Sequence, residues 1–247
     1  MPGKKRVLVW TDACGLHKPE RPIAYPEGIH QVVADSLNES GEFEAFPFAV
    51  VEDCFTPKAL DQYQAIVLWG HGRPISPDAQ KAIVRQVESG QAGLVGLHSI
   101  LSFKANPFMS PRLFGQTAPY GWEDGVPMKY TVTKAHPIFE GVDSFEVEDE
   151  AYYEPYGLVE GADVLLEMTV PNCETRQSRV FNFDEGKYDV ETFKVAGLVT
   201  RAAWTYAIGK GRSFYLQPGH ETDSTYRNPV VQGIITRAVK WVTETEG

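Results

Sequence analysis

Histidine is the side chain best placed to move protons or bind divalent metals near neutral pH, and this chain has six: His17, His30, His71, His98, His136 and His220. Three of them close apolar runs. His71 follows Ala65–Trp69 and Gly70, His98 follows Gly93–Leu97, and His220 ends the stretch that runs from Phe214 through Gln217-Pro-Gly, with Glu221 next. A strand that stops abruptly and hands a histidine to a glycine-rich turn puts that side chain above the carboxyl edge of a sheet, where open α/β sheets hold their ligands. A single histidine in such a place is more often structural than catalytic. Several delivered to one edge reverse that balance. The chemistry they suit is general acid–base catalysis, metal ligation, or both.

Gly96-Leu-His-Ser-Ile100 has the place of a nucleophile elbow, but the elbow residue is His98 rather than Ser or Cys. Ser99, one step on, points elsewhere on such a turn, so a covalent acyl-enzyme is disfavoured. No His-x-x-x-His spacing occurs. A divalent ion, zinc or manganese, therefore rests on the convergence of His30, His71, His98 and His220, with Glu150 or Glu221 as an oxygen ligand or an outer partner. Glu150 belongs to Asp149-Glu-Ala-Tyr-Tyr-Glu-Pro-Tyr156, where acids and tyrosines interleave, a pattern that a solvated strand face gives as readily as a site does.

The elements that must position these residues read in order. Arg6–Trp10, Glu44–Val50, Ala65–Trp69 and Gly93–Leu97 are short β-rich apolar runs and predict strands. Between them, Ile29, Val32, Val33 and Leu37 fall at helical spacing and predict a helix over Pro26–Asn38, with His30 in its first turn. Ser76-Pro77 predicts a capped helix that runs to about Ser89. A long loop that holds Asp12, His17 and Tyr25 separates the first strand from the first helix. From Phe103 to about Val159 the regularity drops. Ala162–Met168, Arg179–Phe183 and Val195–Val199 predict further strands, with a polar excursion at 184–194. Ala202–Tyr206 and Ser213–Leu216 form a hairpin about Gly209–Gly211, and Pro229–Val242 is a final amphipathic helix. The expectation is one flavodoxin-like α/β domain over 1–247, three layers about a mostly parallel sheet, with rim or lid segments at about 103–160 and 184–194.

Composition narrows the partners. At 247 residues and 43% hydrophobic content, the chain can bury a full core. A net charge of −10 leaves no basic stripe to neutralise phosphates, which argues against nucleic acid and anionic membranes and for a small neutral or cationic molecule. The apolar run after the basic start is only Val7–Trp10, too short for a signal peptide, and nothing nears the ~20 residues of a membrane helix. Cys14, Cys54 and Cys173 are odd in number and far apart, as expected in a reducing, cytoplasmic setting.

Val7-Leu-Val-Trp10, Tyr25-Pro-Glu-Gly-Ile-His30, Leu68-Trp-Gly-His71, Gly96-Leu-His-Ser99, His136-Pro-Ile138, Asp149-Glu-Ala-Tyr152 and Phe214–Glu221, in this order across nearly the whole chain, resemble the ThuA-like family, named for trehalose utilisation. That family is similar to class I glutamine amidotransferases, in which a Cys holds the elbow and a His followed closely by Glu completes a triad. Here His98 replaces the Cys, and His220-Glu221 matches the pair. Members carry further histidines after the Leu-His-Ser and Trp-Gly-His motifs, where this chain has Leu101 and Pro74.

The resemblance implies sugar catabolism: cleavage or isomerisation of 3-keto disaccharides or glycosides made by an upstream sugar 3-dehydrogenase, with no nucleotide cofactor. On this reading His220, Glu221, His98, Glu150 and Tyr152 carry the chemistry, while His71, Trp69, Ser99, Tyr153, Tyr226 and Tyr25 bind substrate. The competing reading is a non-catalytic sugar-binding or assembly protein, in which the imidazoles only hydrogen-bond sugar hydroxyls. Association into a homo-oligomer stays open.

Overall fold

A computed structural model describes residues 3–12, 24–70, 75–101, 106, 108–115, 121–153, 161–170, 176–182, 187–193 and 199–244. Among these, the strands are β1 (Lys5–Thr11), β2 (Phe43–Ala49), β3 (Ala65–Trp69), β4 (Gly93–Leu97), β5 (Gly121–Val132), β6 (Ser144–Tyr153), β7 (Asp163–Thr169), β8 (Arg176–Asn182), β9 (Lys187–Phe193), β10 (Val199–Ile208) and β11 (Gly211–Leu216). The α-helices are α1 (Ile29–Glu39), α2 (Pro57–Leu60), α3 (Pro77–Glu88), α4 (Ser110–Phe114) and α5 (Pro229–Thr243).

All the strands join one sheet in the order β2-β1-β3-β4-β11-β10-β7-β5-β8-β9, with β6 on β5. Its first five strands are parallel. Every residue of β3 and β4 is buried, as expected of parallel strands covered on both faces. One face packs against α1 and α5, through side chains such as Ile29, Val33, Ile234 and Val239. The other packs against α2, α3 and α4, through Leu60, Ile83, Val84 and Leu113. Ser76 Oγ accepts from Ala79 N and Asn228 Oδ1 from Val230 N, so α3 and α5 start at side-chain caps followed by proline at the first helical position.

The expectation of a mostly parallel sheet needs correction: the sheet is mixed. From β10 onward every pairing is antiparallel. The reason is connectivity, because tight turns rather than helical crossovers join β10 to β11 and β5 to β6. The segment expected to be irregular between 103 and 160 holds the long paired strands β5 and β6. Likewise the 184–194 excursion contains β9, which pairs with β8 as a hairpin. Helix α1 starts at Ile29 rather than Pro26, because Gly28 has φ 89°, outside the helical region.

This topology fixes the site edge. Strands β1, β3, β4 and β11 all end on one side. Alternating directions from β11 through β10, β7 and β5 bring the end of β6, Asp149–Tyr153, to the same side, and all five of these residues are buried.

Candidate active site

At the carboxyl end of β4 the backbone turns sharply into a 3-10 turn, His98–Leu101, and His98 adopts φ 50°. A left-handed conformation in a residue with a side chain is uncommon and clusters at functional sites. Gly96, two residues earlier, lies against the Phe114 ring, which occupies the space that a side chain would need.

The elbow directs the His98 ring into a set of polar partners. Nδ1 lies 2.8 Å from the Gln217 main-chain carbonyl. A carbonyl only accepts, so Nδ1 carries hydrogen. Nε2 then faces two oxygens, Glu150 Oε2 at 2.9 Å and the Tyr152 hydroxyl at 2.8 Å. Which of these three atoms holds the remaining proton defines the state of the cluster. Tyr152 also stacks on the imidazole, with ring centroids 4.5 Å apart, and His220 stands edge-on to it at 5.3 Å. His98 and His220 are fully buried, and Glu150 is 4% exposed.

His220 sits in the loop after β11. Its Nδ1 meets the Thr222 hydroxyl at 2.8 Å and the Thr222 amide at 3.3 Å. Because an amide N–H only donates, Nδ1 accepts, and the neutral ring carries its proton on Nε2. Asp149 holds the loop: Oδ1 accepts from His220 N at 2.9 Å and from Glu150 N at 2.7 Å, and Oδ2 accepts from Thr225 Oγ1. Burial pushes the Asp149 carboxyl up to about 6, against the opposing effects of nearby His98 and of the bonds from Thr225 and His220; Asp223 adds to the rise.

His98, Glu150 and His220 each offer a ligand atom, all within 4.8 Å of one another. His30 is not part of this group: it sits in the first turn of α1, half-buried, with Nδ1 3.1 Å from Thr11 Oγ1, and burial lowers its pKa. His71 and His17 lie outside the described residues. Glu221 is fully buried, and its main-chain carbonyl accepts from Ala24 N.

The expected substrate-binding side chains lie beneath the edge. Trp69 is fully buried, donates from Nε1 to the Gly219 carbonyl and stacks parallel to His98 at 6.5 Å. Ser99 donates its hydroxyl to the Gly70 carbonyl. Tyr25 OH accepts from Tyr226 N, with the two rings 5.8 Å apart, and Tyr153 is buried in the core beside β5. Burial also raises the Tyr25 hydroxyl pKa far above its usual range.

Asp149, Gln217, Thr222 and Thr225 escaped the sequence reading as site residues. Asp149 and Gln217 lie inside motifs already singled out, beside Glu150 and before Pro218-Gly-His. The signal available was a polar side chain next to a candidate within a buried run.

A parallel half-sheet with a strained elbow and a His-Glu loop at its carboxyl edge defines a mixed α/β protein with an architecture also found in GMP synthase. One solved protein described as a component of that enzyme, from Thermoplasma acidophilum, superimposes with a TM-score of 0.53 at 12% identity, over 98% of this chain and 97% of that one. A ThuA-like protein from Bacteroides uniformis gives a TM-score of 0.65 at 18% identity, over 96% and 91%. A cytoplasmic protein from Salmonella typhimurium gives 0.58 at 13%, over 96% and 98%. At such identities the likeness is one of fold. The sequence profile of the ThuA family, described as trehalose utilisation, matches residues 6–242, and the chain belongs to that family. Membership gives it a carbohydrate-related role. A search of curated protein sequences finds no significant match. Among the described residues no helix is long and apolar enough to cross a membrane.

Proposed function

We propose that the protein cleaves 3-keto disaccharides or 3-keto glycosides by proton abstraction and elimination, followed by hydration. The observation that supports this most is the buried contact set about one imidazole, with Glu150 at 2.9 Å, Tyr152 at 2.8 Å and His220 edge-on, on an elbow that has no Ser or Cys nucleophile.

A ketone at C3 acidifies the hydrogen on C2. In the proposed sequence His220, beside Glu221, takes that proton, while His98 and Tyr152 hydrogen-bond the C3 oxygen as it gains negative charge. The enediolate electrons re-form the C3 carbonyl and a C1–C2 double bond as the C1–O bond breaks, and Glu150 supplies the proton that the departing oxygen needs. Water then adds, hydroxyl to C1 and hydrogen to C2, so that the net change is hydrolysis of the glycosidic bond. Reprotonation of the same enediolate without loss of the C1 group gives isomerisation instead. A sugar 3-dehydrogenase has to supply the ketone.

The test is incubation with 3-keto-trehalose and 3-keto-glucosides in deuterated water. Deuterium at C2 with release of the C1 group supports elimination. Turnover of unoxidised glycosides through a glycosyl-enzyme intermediate, with inert keto sugars, overturns it. Unchanged binding of sugars by His98→Ala and His220→Ala variants, without turnover by any form, would identify a binding protein.

A second reading is favoured by the donor set. Two imidazole nitrogens and a carboxylate oxygen within 4.8 Å suit zinc or manganese. The bond from His98 Nδ1–H to the Gln217 carbonyl is also the outer contact that fixes a metal-bound imidazole. His98, Glu150 and His220 would hold the ion. Its contribution would be to polarise the ketone, leaving proton transfer to Tyr152. Elemental analysis of untagged protein decides: stoichiometric metal, lost in His98→Gln and Glu150→Gln variants, supports this reading, and metal-free protein that is indifferent to chelator removes it.

A further inference from the structure

The loop from Gln217 to Asp223 has no regular structure, yet it must present His220 to His98 with the precision that proton transfer demands. A buried main-chain N–H in such a loop needs a partner. His220 N finds it in Asp149 Oδ1, a carboxylate on a different element. Oδ2 of the same side chain takes the Thr225 hydroxyl, at the far end of the loop in the 3-10 turn Ser224–Arg227. Oδ1 also accepts from Glu150 N.

Successive strand residues point to opposite faces. Near the end of β6, then, Asp149 shares a face with Ala151 and Tyr153, and Glu150 shares the other with Tyr152. One residue grips the His220 loop while its neighbour reaches His98 Nε2. Asp149 is fully buried, so water does not stand in for any of these bonds.

We infer that Asp149 is the positioning residue of the site: its carboxylate ties the His220 loop to β6 and so sets the relation of His220 to the Glu150–His98–Tyr152 cluster. The inference builds on the reading of that cluster as the reaction centre. Its own consequence, the placement of the His220 ring, is measurable without any substrate.

The experiment uses the full chain and the variants Asp149→Asn, Asp149→Ala and Thr225→Val. Asparagine keeps an acceptor for the two amides but turns a donor toward Thr225, alanine removes every bond, and valine removes only the Thr225 bond. Imidazole ¹⁵N shifts of His220 are followed across a pH titration in substrate-free protein. Expected are a changed tautomer ratio or ring pKa for His220 in Asp149→Asn, a larger change in Asp149→Ala, a smaller one in Thr225→Val, and folded protein for at least the Asn and Val forms.

With a 3-keto-glucoside, kcat falls on the order of 100-fold in Asp149→Ala, the scale of an ångström-level misplacement, while KM changes little and Asn restores part of the loss. A His220 ring that titrates as in wild type in Asp149→Asn overturns the proposal. So does a kcat that falls only in proportion to the folded fraction. If wild type turns over no keto sugar, the proposed reaction fails, and the His220 titration alone decides the role of Asp149.

Discussion

His98 Nε2 and Glu150 Oε2 lie 2.9 Å apart with 52 residues between them in sequence, one at the end of β4 and the other near the end of β6. The two strands are not neighbours in the sheet. They meet because Gln217, at the end of β11, binds both: its carbonyl takes His98 Nδ1–H, and its side-chain amide donates to the Glu150 carbonyl at 2.8 Å. Tyr130 OH fixes that amide from β5 through Gln217 Oε1 at 2.6 Å.

Tyr152→Phe tests the cluster with little disturbance. The variant loses the hydroxyl that faces Nε2 and keeps the ring that stacks at 4.5 Å. Turnover of a 3-keto-glucoside is expected to drop by roughly 10²- to 10⁴-fold, the usual worth of a proton-transfer group, with little change in thermal stability. Glu150→Gln is expected to show a loss of the same order. Steady-state kinetics with circular dichroism melts checks both, and wild-type rates in either variant would remove that residue from the chemistry.

The Asp149 carboxyl gives a dependence of stability on pH. Its folded pKa, about 6, lies above the ordinary 3.8, so the native state holds this proton more tightly than the unfolded chain does. The stabilisation from this group is therefore complete below about pH 3.8 and is lost as pH rises through 6. The difference corresponds to about 3 kcal/mol in all. Asn cannot ionise, so the stability of Asp149→Asn relative to wild type is expected to rise between pH 4 and 6 and then level off. Urea melts at half-unit pH steps measure this, and a constant offset across the range contradicts it.

Cys54 is buried, and burial pushes its thiol up to about 12. Its Sγ points at the Val51 carbonyl. Thiolate rather than thiol is the nucleophile. Mass-mapped alkylation at pH 8 is expected to leave Cys54 unmodified in native protein and to modify it fully in guanidinium. Rapid labelling of the native protein at this position would show that the pocket opens.

Gly219 has φ 130°, a backbone that side chains disfavour, and the Tyr226 hydroxyl and ring fill the space that a methyl group would need. Gly219→Ala is expected to cost about 1–3 kcal/mol in backbone strain, besides the displacement of Tyr226. Because Trp69 Nε1 is bound to the Gly219 carbonyl, one residue before His220, turnover should fall as well. Calorimetry and kinetics together check this, and a variant as stable and active as wild type refutes it.

Much of the parallel half was legible in the sequence because its signals are local. The fully apolar runs Ala65–Trp69 and Gly93–Leu97 fall where β3 and β4 lie, and Ser76-Pro77 and Asn228-Pro229 mark the starts of α3 and α5. The elbow could be read too, since an apolar strand that ends in Leu97-His-Ser leaves the chain little choice but a sharp turn. The antiparallel half was not legible in the same way. β5 carries a register shift between Glu123 and Val126 and pairs with three different strands along its length, so its pattern follows no single period.

For the site, the sequence by itself determined which strand ends carry His98 and His220 and that no thiol or hydroxyl nucleophile occupies the elbow. Only the tertiary structure decided that Glu150 and Tyr152 share one imidazole nitrogen, that Asp149 holds the loop, and that His30 stands with Thr11 rather than in the group formed by His98, Glu150 and His220. Short-range patterning fixes what a residue can do and which end of a strand it occupies. Which residues from distant strands touch depends on sheet order, strand direction and register, and these are set by the packing of the whole core.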